Sequence, residues 1–79
     1  MNKMVPSAPI IAFLGERRWS WDQATRAYMN HKRTSWDAAV TATRRLRNPE
    51  VAWRTADVWC VVIGAPIIEL YPEYEGSRR

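Results

Sequence analysis

The tripeptide Ser-Trp-Asp occurs twice in this chain, at Ser20–Asp22 and again at Ser35–Asp37. Serine is a strong helix N-cap residue because its hydroxyl accepts a hydrogen bond from an otherwise unpaired amide in the first helical turn. An aspartate two positions later lies near the positive end of the helix dipole, which favours a negative charge. Each copy therefore predicts the start of a helix, and two starts so close together limit the middle of the chain to a pair of short helices.

The residues after each tripeptide continue at helical spacing. Gln23 completes a capping box with Ser20, whereas Ala38 occupies the corresponding place in the second copy. Asn48 precedes a proline, which disfavours the α region and ends the second helix. The predicted inward-facing residues are Trp21, Ala24, Ala27, Tyr28 and His31 in the first helix and Trp36, Ala39, Val40, Thr43 and Leu46 in the second. The opposite face of the second helix carries Asp37, Ala38, Thr41, Arg44 and Arg45.

The flanking segments contain further helix signals. Pro9 lies in the first turn of a helix that begins after Ser7 and either ends at Gly15 or continues through the next two residues. Downstream, Thr55 is predicted to cap a helix that ends at Gly64. These signals place one helix before the Ser-Trp-Asp pair and at least one after it.

The remaining segments complete the predicted fold. Residues 51–54 are expected to form a short extended connector, and residues 67–70 a last helical turn. We therefore expect an all-α fold: a compact bundle of about five short helices with no strand pair, and with a helix-turn-helix that could be degenerate. The expected divisions of the chain are a flexible N-terminus at residues 1–6, a single helical domain at residues 7–74 and a tail at residues 75–79.

Positive charge is concentrated in the middle of the chain. Residues 17–54 contain nine lysines and arginines against three acidic residues, whereas residues 55–77 contain four acidic residues and no base. Such a polarised molecule attracts polyanions such as nucleic acid to its basic part. The alternative is that the arginines only make a helical surface soluble and bind no partner.

Two capped helices joined by a polar connection around residues 31–34 have two interpretations. They are the layout of a DNA-binding helix-turn-helix, and they are equally the layout of an ordinary αα-hairpin. The connection lacks the glycine that is usual in a tight DNA-binding turn. The helix pair alone leaves both interpretations open.

The C-terminal part of the chain resembles a known family. Residues 54–75 read RTADVWCVVIGAPIIELYPEYE and resemble T-A-D-R-x-A-x-x-L-G-x-x-P-x-x-I-W-P-x-W, a segment of small actinobacterial and actinophage helix-turn-helix proteins related to the phage repressor and Cro family. The residues at matching places are Thr55, Ala56, Asp57, Gly64, Glu69, Leu70, Tyr71, Pro72 and Tyr74. Pro66 lies one residue earlier than the family's proline, and leucine and tyrosine replace its isoleucine and tryptophan at residues 70 and 71.

The N-terminal segment PIIAFLGERRWSWD, residues 9–22, is similar to the first helix of the same family and the cap of its second helix. The middle of the chain departs from the family. Residues 24–35 replace its A-x-x-x-G-V-S turn with a longer connection that lacks glycine. The chain therefore differs most from that family in the geometry of the turn, which sets the angle of the second helix.

The helix pair and this resemblance together imply a sequence-specific, repressor-like regulator that binds double-stranded DNA. The helix at residues 36–47 is expected to enter the major groove. A homodimer is expected for such a regulator. Its apolar interface candidates are Ile67, Ile68, Tyr71 and Tyr74, and the alternative is that these residues cover the core. The expected location is the nucleoid in the cytoplasm of a bacterial or phage-infected cell. The expected DNA-binding residues are Gln23, Lys32, Arg33, Thr34, Ser35, Asp37, Ala38, Thr41, Arg44, Arg45, Arg47 and Arg54.

The alternative function is a small protein-interaction factor, such as a phage-type modulator of a host or regulatory protein, on the same helical scaffold. The glycine-free turn favours this alternative, as does the acidic and aromatic segment at residues 71–75. DNA binding by Lys and Arg weakens steeply as salt rises, so salt dependence distinguishes the two functions.

Other chemistries have weak support in the sequence. A single histidine, His31, and a single cysteine, Cys60, predict no metal site, and a cysteine among valines is expected to be buried rather than nucleophilic. We expect no enzyme activity and no cofactor. We also expect no membrane association, since the apolar run at residues 9–14 is too short for a signal peptide or a membrane span. Trp21, Trp36 and Trp59 lie on predicted apolar faces, which favours core packing over base stacking.

Overall fold

Five helices and two short strands make up residues 3–72, the part of the chain that the computed structural model describes. The prediction of a compact, mostly helical fold with about five helices is confirmed. No helix within these residues has the length and apolar character needed to cross a membrane. The predicted tail and Tyr74 lie outside the described residues. The elements are β1 (Met4–Pro6), α1 (Ala8–Glu16), α2 (Trp21–Lys32), α3 (Trp36–Arg45), β2 (Glu50–Ala52), α4 (Trp53–Ile63) and α5 (Ile67–Leu70).

Both serine caps form as the sequence predicts. The Ser20 hydroxyl accepts from the Gln23 amide at 3.1 Å, and the Gln23 side chain accepts from the Ser20 amide at 2.8 Å, so the capping box is complete. The Ser35 hydroxyl accepts from the Ala38 amide at 3.2 Å. Gly64 adopts the left-handed conformation with a φ of 72° and ends α4, as predicted. Local capping chemistry therefore fixes the ends of three helices.

The two strands form an antiparallel pair that the sequence pattern does not predict. Val5 is paired with Val51, and both side chains are buried in the core. The Tyr71 hydroxyl donates to the Pro6 carbonyl at 2.6 Å and ties the C-terminal end to β1. The expectation of an all-α fold without a strand pair is therefore wrong, and residues 4–6, expected to be flexible, form β1. Strands of three residues are too short to produce a recognisable alternation of apolar and polar residues.

Helix α4 begins two residues before Thr55, its predicted cap. Ala52 occupies the N-cap position, where no side chain caps the helix. The Trp53 amide instead donates to the Lys3 carbonyl at 2.8 Å, next to the β1–β2 pair. A serine or threonine cap accepts from the second or third amide of a helix and leaves the first amide to water. Here the N-terminal segment provides the acceptor for that first amide.

Trp59 lies at the centre of the core. It has no solvent exposure, and its ring stacks on Tyr28 of α2 with 5.0 Å between ring centroids. Ile10 of α1 and Leu46 after α3 are also fully buried. Cys60 is buried, as predicted. The core is therefore formed by α1, α2 and α4 together with the end of α3 and the inner face of the sheet.

The tryptophans of the two Ser-Trp-Asp tripeptides do not enter this core. Trp21 is 37% exposed and Trp36 is 41% exposed, so the prediction that they anchor their helices inward is wrong, whereas the prediction for Trp59 is confirmed. Each is the first residue of its helix, and the Cα–Cβ bonds of a helix tilt toward its N-terminus. A side chain at that position overhangs the helix end and is only partly covered by its neighbours. His31, also predicted to face inward, is exposed as well.

Alanine substitutions at Gly15 and Gly64 are expected to change stability in opposite directions. A Cβ at either position meets no atom within 4 Å, so only the backbone matters. Gly64→Ala forces a left-handed conformation on alanine and is expected to lower the free energy of unfolding by about 1 kcal/mol. Gly15 lies within α1, which continues through it to Glu16, and Gly15→Ala is expected to raise the free energy by about 0.5 kcal/mol. Urea unfolding followed by circular dichroism measures both, and effects of the same sign would contradict this explanation.

Candidate nucleic-acid interface

Small residues fill the contact between α2 and α3. Ala24 and Thr25 on α2 and Ala39 and Thr43 on α3 are all buried. The Thr25 hydroxyl lies 2.9 Å from the Thr43 hydroxyl, which donates to the Ala39 carbonyl at 2.9 Å. The Thr25 hydroxyl also lies 2.7 Å from the Trp21 carbonyl, so each hydroxyl has a backbone acceptor in its own helix. The small side chains allow the two helices to approach closely, and the buried hydroxyls keep hydrogen-bond partners there.

Helices α2 and α3 remain in contact along most of their length. Thr25 and Thr43 lie equally far from Thr34 in the turn, roughly 13 Å along each helix at 1.5 Å per residue. The two threonine hydroxyls are 2.9 Å apart at that distance from the turn, so the side chains of the two helices still meet there. Farther along, the Arg47 guanidinium lies 5.3 Å from the ring centre of Trp21. Contacts near the start of α2 thus join it to the end of α3, and we refer to this helix pair with its turn as the closed hairpin.

The turn of this hairpin is shorter than the sequence pattern indicates. Helix α2 continues to Lys32, and only Arg33, Thr34 and Ser35 connect it to α3. Arg33 adopts the left-handed conformation, with φ 52° and ψ 49°, at the position where glycine is most common. A residue other than glycine pays roughly 1–2 kcal/mol there. The glycine-free connection thus forms a tight turn at an energetic cost.

The side of α3 that faces away from the core carries the predicted base-contacting residues. Asp37, Thr41 and Arg44 follow one another at helical spacing and form one stripe, with Ala38 and Arg45 beside it. All five are exposed, as predicted. The helix ends at Arg45, two residues earlier than expected. We call these five residues the α3 face.

The positive charges of the α3 face are open to an outside partner. Within residues 3–72, Arg44 and Arg45 have no ion-pair partner, and neither do Lys32 and Arg33 at the turn. Glu50 lines a hollow of about 280 Å³ together with Arg45, so an acidic side chain lies on the surface near that end of the face without forming an ion pair among the described residues. The uncompensated charges make the α3 face and the adjoining turn a region of positive potential.

Some predicted contact residues already have partners within the protein. Gln23 and Ser35 are used by the helix caps. The Thr41 hydroxyl donates to the Asp37 carbonyl at 3.1 Å, which leaves its methyl group and the acceptor lone pairs of its oxygen available. Gln23 also lies in the first turn of α2, at the opposite end of that helix from the turn. The structure therefore does not bring Gln23 next to the N-terminal half of α3.

Two other predicted residues come together on a different part of the surface. Lys32 and Arg54 line a hollow of about 180 Å³ between α2 and α4, with Tyr28, Thr55 and Val58. Both cations are exposed, whereas Thr34 in the turn is half-buried. Most of the predicted residues thus form a main group on α3 and its turn, and Arg54 with Lys32 forms a second group. Gln23 and Arg47 belong to neither, since both lie beside the start of α2.

Sequence reasoning missed one further group of residues. Trp36 lines an open hollow of about 420 Å³ with Arg26, Met29 and Asn30 of α2. The hollow lies along the junction of the two helices, beside the α3 face. The sequence does contain one indication that Trp36 is exposed: it directly follows the Ser35 cap, and side chains at the start of a helix overhang the helix end.

Comparisons with known proteins give no significant match: no protein-family model, no curated protein and no solved structure resembles this chain closely enough. The resemblance to repressor and Cro-related proteins therefore stays a prediction.

Proposed function

We propose that this protein binds double-stranded DNA through the α3 face and acts as a repressor-like transcriptional regulator. The observation that carries the proposal is the exposed stripe of Asp37, Thr41 and Arg44, flanked by Arg45 and by the basic turn. Such a stripe offers a hydrogen-bonding acid, a small polar side chain and arginines on one accessible helix surface. These are side-chain types that contact base edges and phosphates.

The dimensions of α3 are compatible with this role. A helix with its side chains is about 10–12 Å wide, close to the width of the major groove at about 12 Å. The partner helix α2 packs on the other side of α3 through Thr25 and Thr43 and does not cover the α3 face. In this arrangement Arg44 and Arg45 contact base edges or the flanking phosphates, while Lys32 and Arg33 neutralise backbone charge.

A homodimer is part of the proposal, because one helix of this length contacts too few base pairs for useful specificity. Of the interface candidates within residues 3–72, Tyr71 is buried at 1% exposure and belongs to the core. Ile68 is 45% exposed and Ile67 is half-buried. Ile68 is therefore the best-supported contact for a second copy, and the proposed location remains the nucleoid.

Thr41→Ala is expected to change which sequence the protein selects. Thr41 is exposed at the middle of the α3 face, and the loss of a good base contact costs about 1–3 kcal/mol of discrimination at one base pair. Selection of random duplex oligonucleotides with the purified wild type and with the variant measures this. The expected result is one motif for the wild type and a relaxed preference at one position, in each half-site, for the variant.

The same selection also tests the proposal as a whole. Recovery of no motif, together with no retention on duplex DNA at low salt, would show that the assignment is wrong. Val61→Ala is the control, since Val61 is exposed on α4, outside the α3 face, and it is expected to leave the motif unchanged.

The closed hairpin supports a second candidate function, a protein-interaction factor. In an αα-hairpin the two helices present a continuous joint surface, which suits a protein partner as well as a groove. A pull-down from lysate at rising salt separates the two functions, because DNA retention collapses as counterion release becomes less favourable. Capture of one protein that survives nuclease treatment and high salt would favour the interaction factor.

A further inference from the structure

The two Ser-Trp-Asp tryptophans differ in what covers their rings. The ring of Trp21 is covered on one side by the Arg47 guanidinium at 5.3 Å. Trp36 has no stacking or cation-π partner within residues 3–72, and its indole N–H has no acceptor there. A tryptophan that is 41% exposed and has no ring partner offers an outside ligand a large aromatic surface.

The surroundings of Trp36 supply polar groups beside this surface. Its hollow of about 420 Å³ is lined by Met29, by the Asn30 amide and by Arg26, and its volume falls in the range of about 300–1,000 Å³ typical of small-ligand sites. Neither Arg26 nor Asn30 has a side-chain partner in the described part of the chain. An aromatic ring, an unused amide and an unused cation are therefore grouped around one open space.

We propose that the Trp36 hollow binds an unpaired base of single-stranded nucleic acid. In this site the base stacks on the indole of Trp36, the Asn30 amide hydrogen-bonds to the base edge, and Arg26 contacts the adjacent phosphate. An amide side chain carries both a donor and acceptors, which matches the mixed donors and acceptors on the edge of a base. The site lies beside the α3 face but uses none of its residues, so it stands independently of duplex binding.

Charge favours a nucleic acid over an apolar peptide as the occupant. The hairpin from Ser20 to Arg47 contains six lysines and arginines against two aspartates, so a chain with a phosphate at every step is attracted along it. An aromatic side chain on a positively charged surface is the combination that proteins use to bind single strands with little sequence preference. A protein partner is the competing occupant and is an outcome of the test below.

The test compares two labelled oligonucleotides of about ten nucleotides each. One is oligothymidylate, and the other has the same backbone with abasic residues, so that the two differ in bases but not in phosphate charge. Fluorescence anisotropy with the wild-type protein at low salt is expected to show tighter binding of oligothymidylate. Trp36→Ala is expected to weaken that binding about five- to a hundredfold and to leave the abasic oligonucleotide unaffected.

Matched variants keep the result interpretable. Trp36→Phe retains an aromatic ring and is expected to restore most of the affinity for oligothymidylate. Trp21→Ala removes the equivalent tryptophan of the other tripeptide, 37% exposed, and is expected to change the affinity less than about twofold. The Arg47 guanidinium already covers one side of its ring, and the hollow of about 180 Å³ beside it is lined by Ile11, Leu14, Gly15 and Trp19, with neither an amide side chain nor a cation. Circular dichroism checks that all three variants remain folded.

Three results would overturn the proposal: equal affinity of the wild type for the two oligonucleotides, an equal loss in the Trp21 and Trp36 variants, or loss of a captured protein in Trp36→Ala without any effect on oligothymidylate. The last would assign the hollow to a protein partner. Duplex binding is measured separately through Thr41→Ala, so failure of one proposal is distinguishable from failure of the other.

Discussion

Trp59→Ala is expected to remove most of the stability of this protein. Truncation of a large buried aromatic side chain costs about 3–5 kcal/mol, and a domain of this size has only about 4–12 kcal/mol in total. Trp59 is fully buried and stacks on Tyr28, so its loss leaves a cavity between α2 and α4. Urea unfolding followed by circular dichroism gives the free energy of unfolding, and the variant is expected to be largely unfolded or close to it at 37 °C.

The same substitution at Trp36 is the control for this prediction. Trp36 is 41% exposed, and its truncation is expected to cost about 1 kcal/mol or less, as is usual for surface substitutions. Equal losses for the two variants would contradict the burial of Trp59 and the exposure of Trp36. Trp59→Phe is expected to lower the free energy of unfolding less than Trp59→Ala does, by at least about 1 kcal/mol, because the phenyl ring keeps most of the side-chain volume. The Trp59→Phe substitution also removes an indole N–H that has no acceptor within residues 3–72.

The double variant Arg44→Ala, Arg45→Ala is expected to weaken binding to duplex DNA by at least about tenfold at moderate salt. If the two arginines contact phosphates, the slope of log affinity against log salt becomes shallower by roughly 2. Anisotropy titrations of a labelled duplex at several salt concentrations measure both quantities. Contacts to base edges add a further loss, but only for the selected sequence.

A second double variant separates a local contact from a general effect of charge. Arg17→Ala, Arg18→Ala removes the same charge at the end of α1, outside the proposed interface. It is expected to change the affinity less than threefold or so, since exposed charges outside the contact act only through a field that salt screens. Equal losses in the two double variants would show that the protein binds DNA only as a diffuse cation.

The elements that the sequence predicts are those controlled by short-range chemistry. Ser20 and Ser35 begin helices, and Gly64 ends one, because capping needs only a few neighbouring residues. The spacing of Thr41 and Arg44 likewise places them on one exposed face, since helical periodicity alone decides which residues are neighbours. These features depend on the local sequence and need no information about the rest of the fold.

The features that the sequence does not predict depend on contacts between distant segments. Val5 and Val51 meet in the sheet although neither strand is long enough to have a pattern. The Thr25–Thr43 hydrogen bond decides that the hairpin is closed, but two threonines in amphipathic helices are equally compatible with exposed positions. Trp36 is exposed although helical periodicity places it on the apolar face, because a side chain at the start of a helix overhangs the helix end.

The strand pair also has a consequence for the order in which the chain matures during synthesis. Translation supplies β1 first, but its partner β2 follows only after the whole α2–α3 hairpin has been made. The hairpin closes over a short stretch of chain and is able to form while Val5 still lacks Val51, since local contacts form faster than distant ones. We therefore expect the sheet to close after the hairpin, because Met4–Pro6 stay unpaired until Glu50–Ala52 have been made.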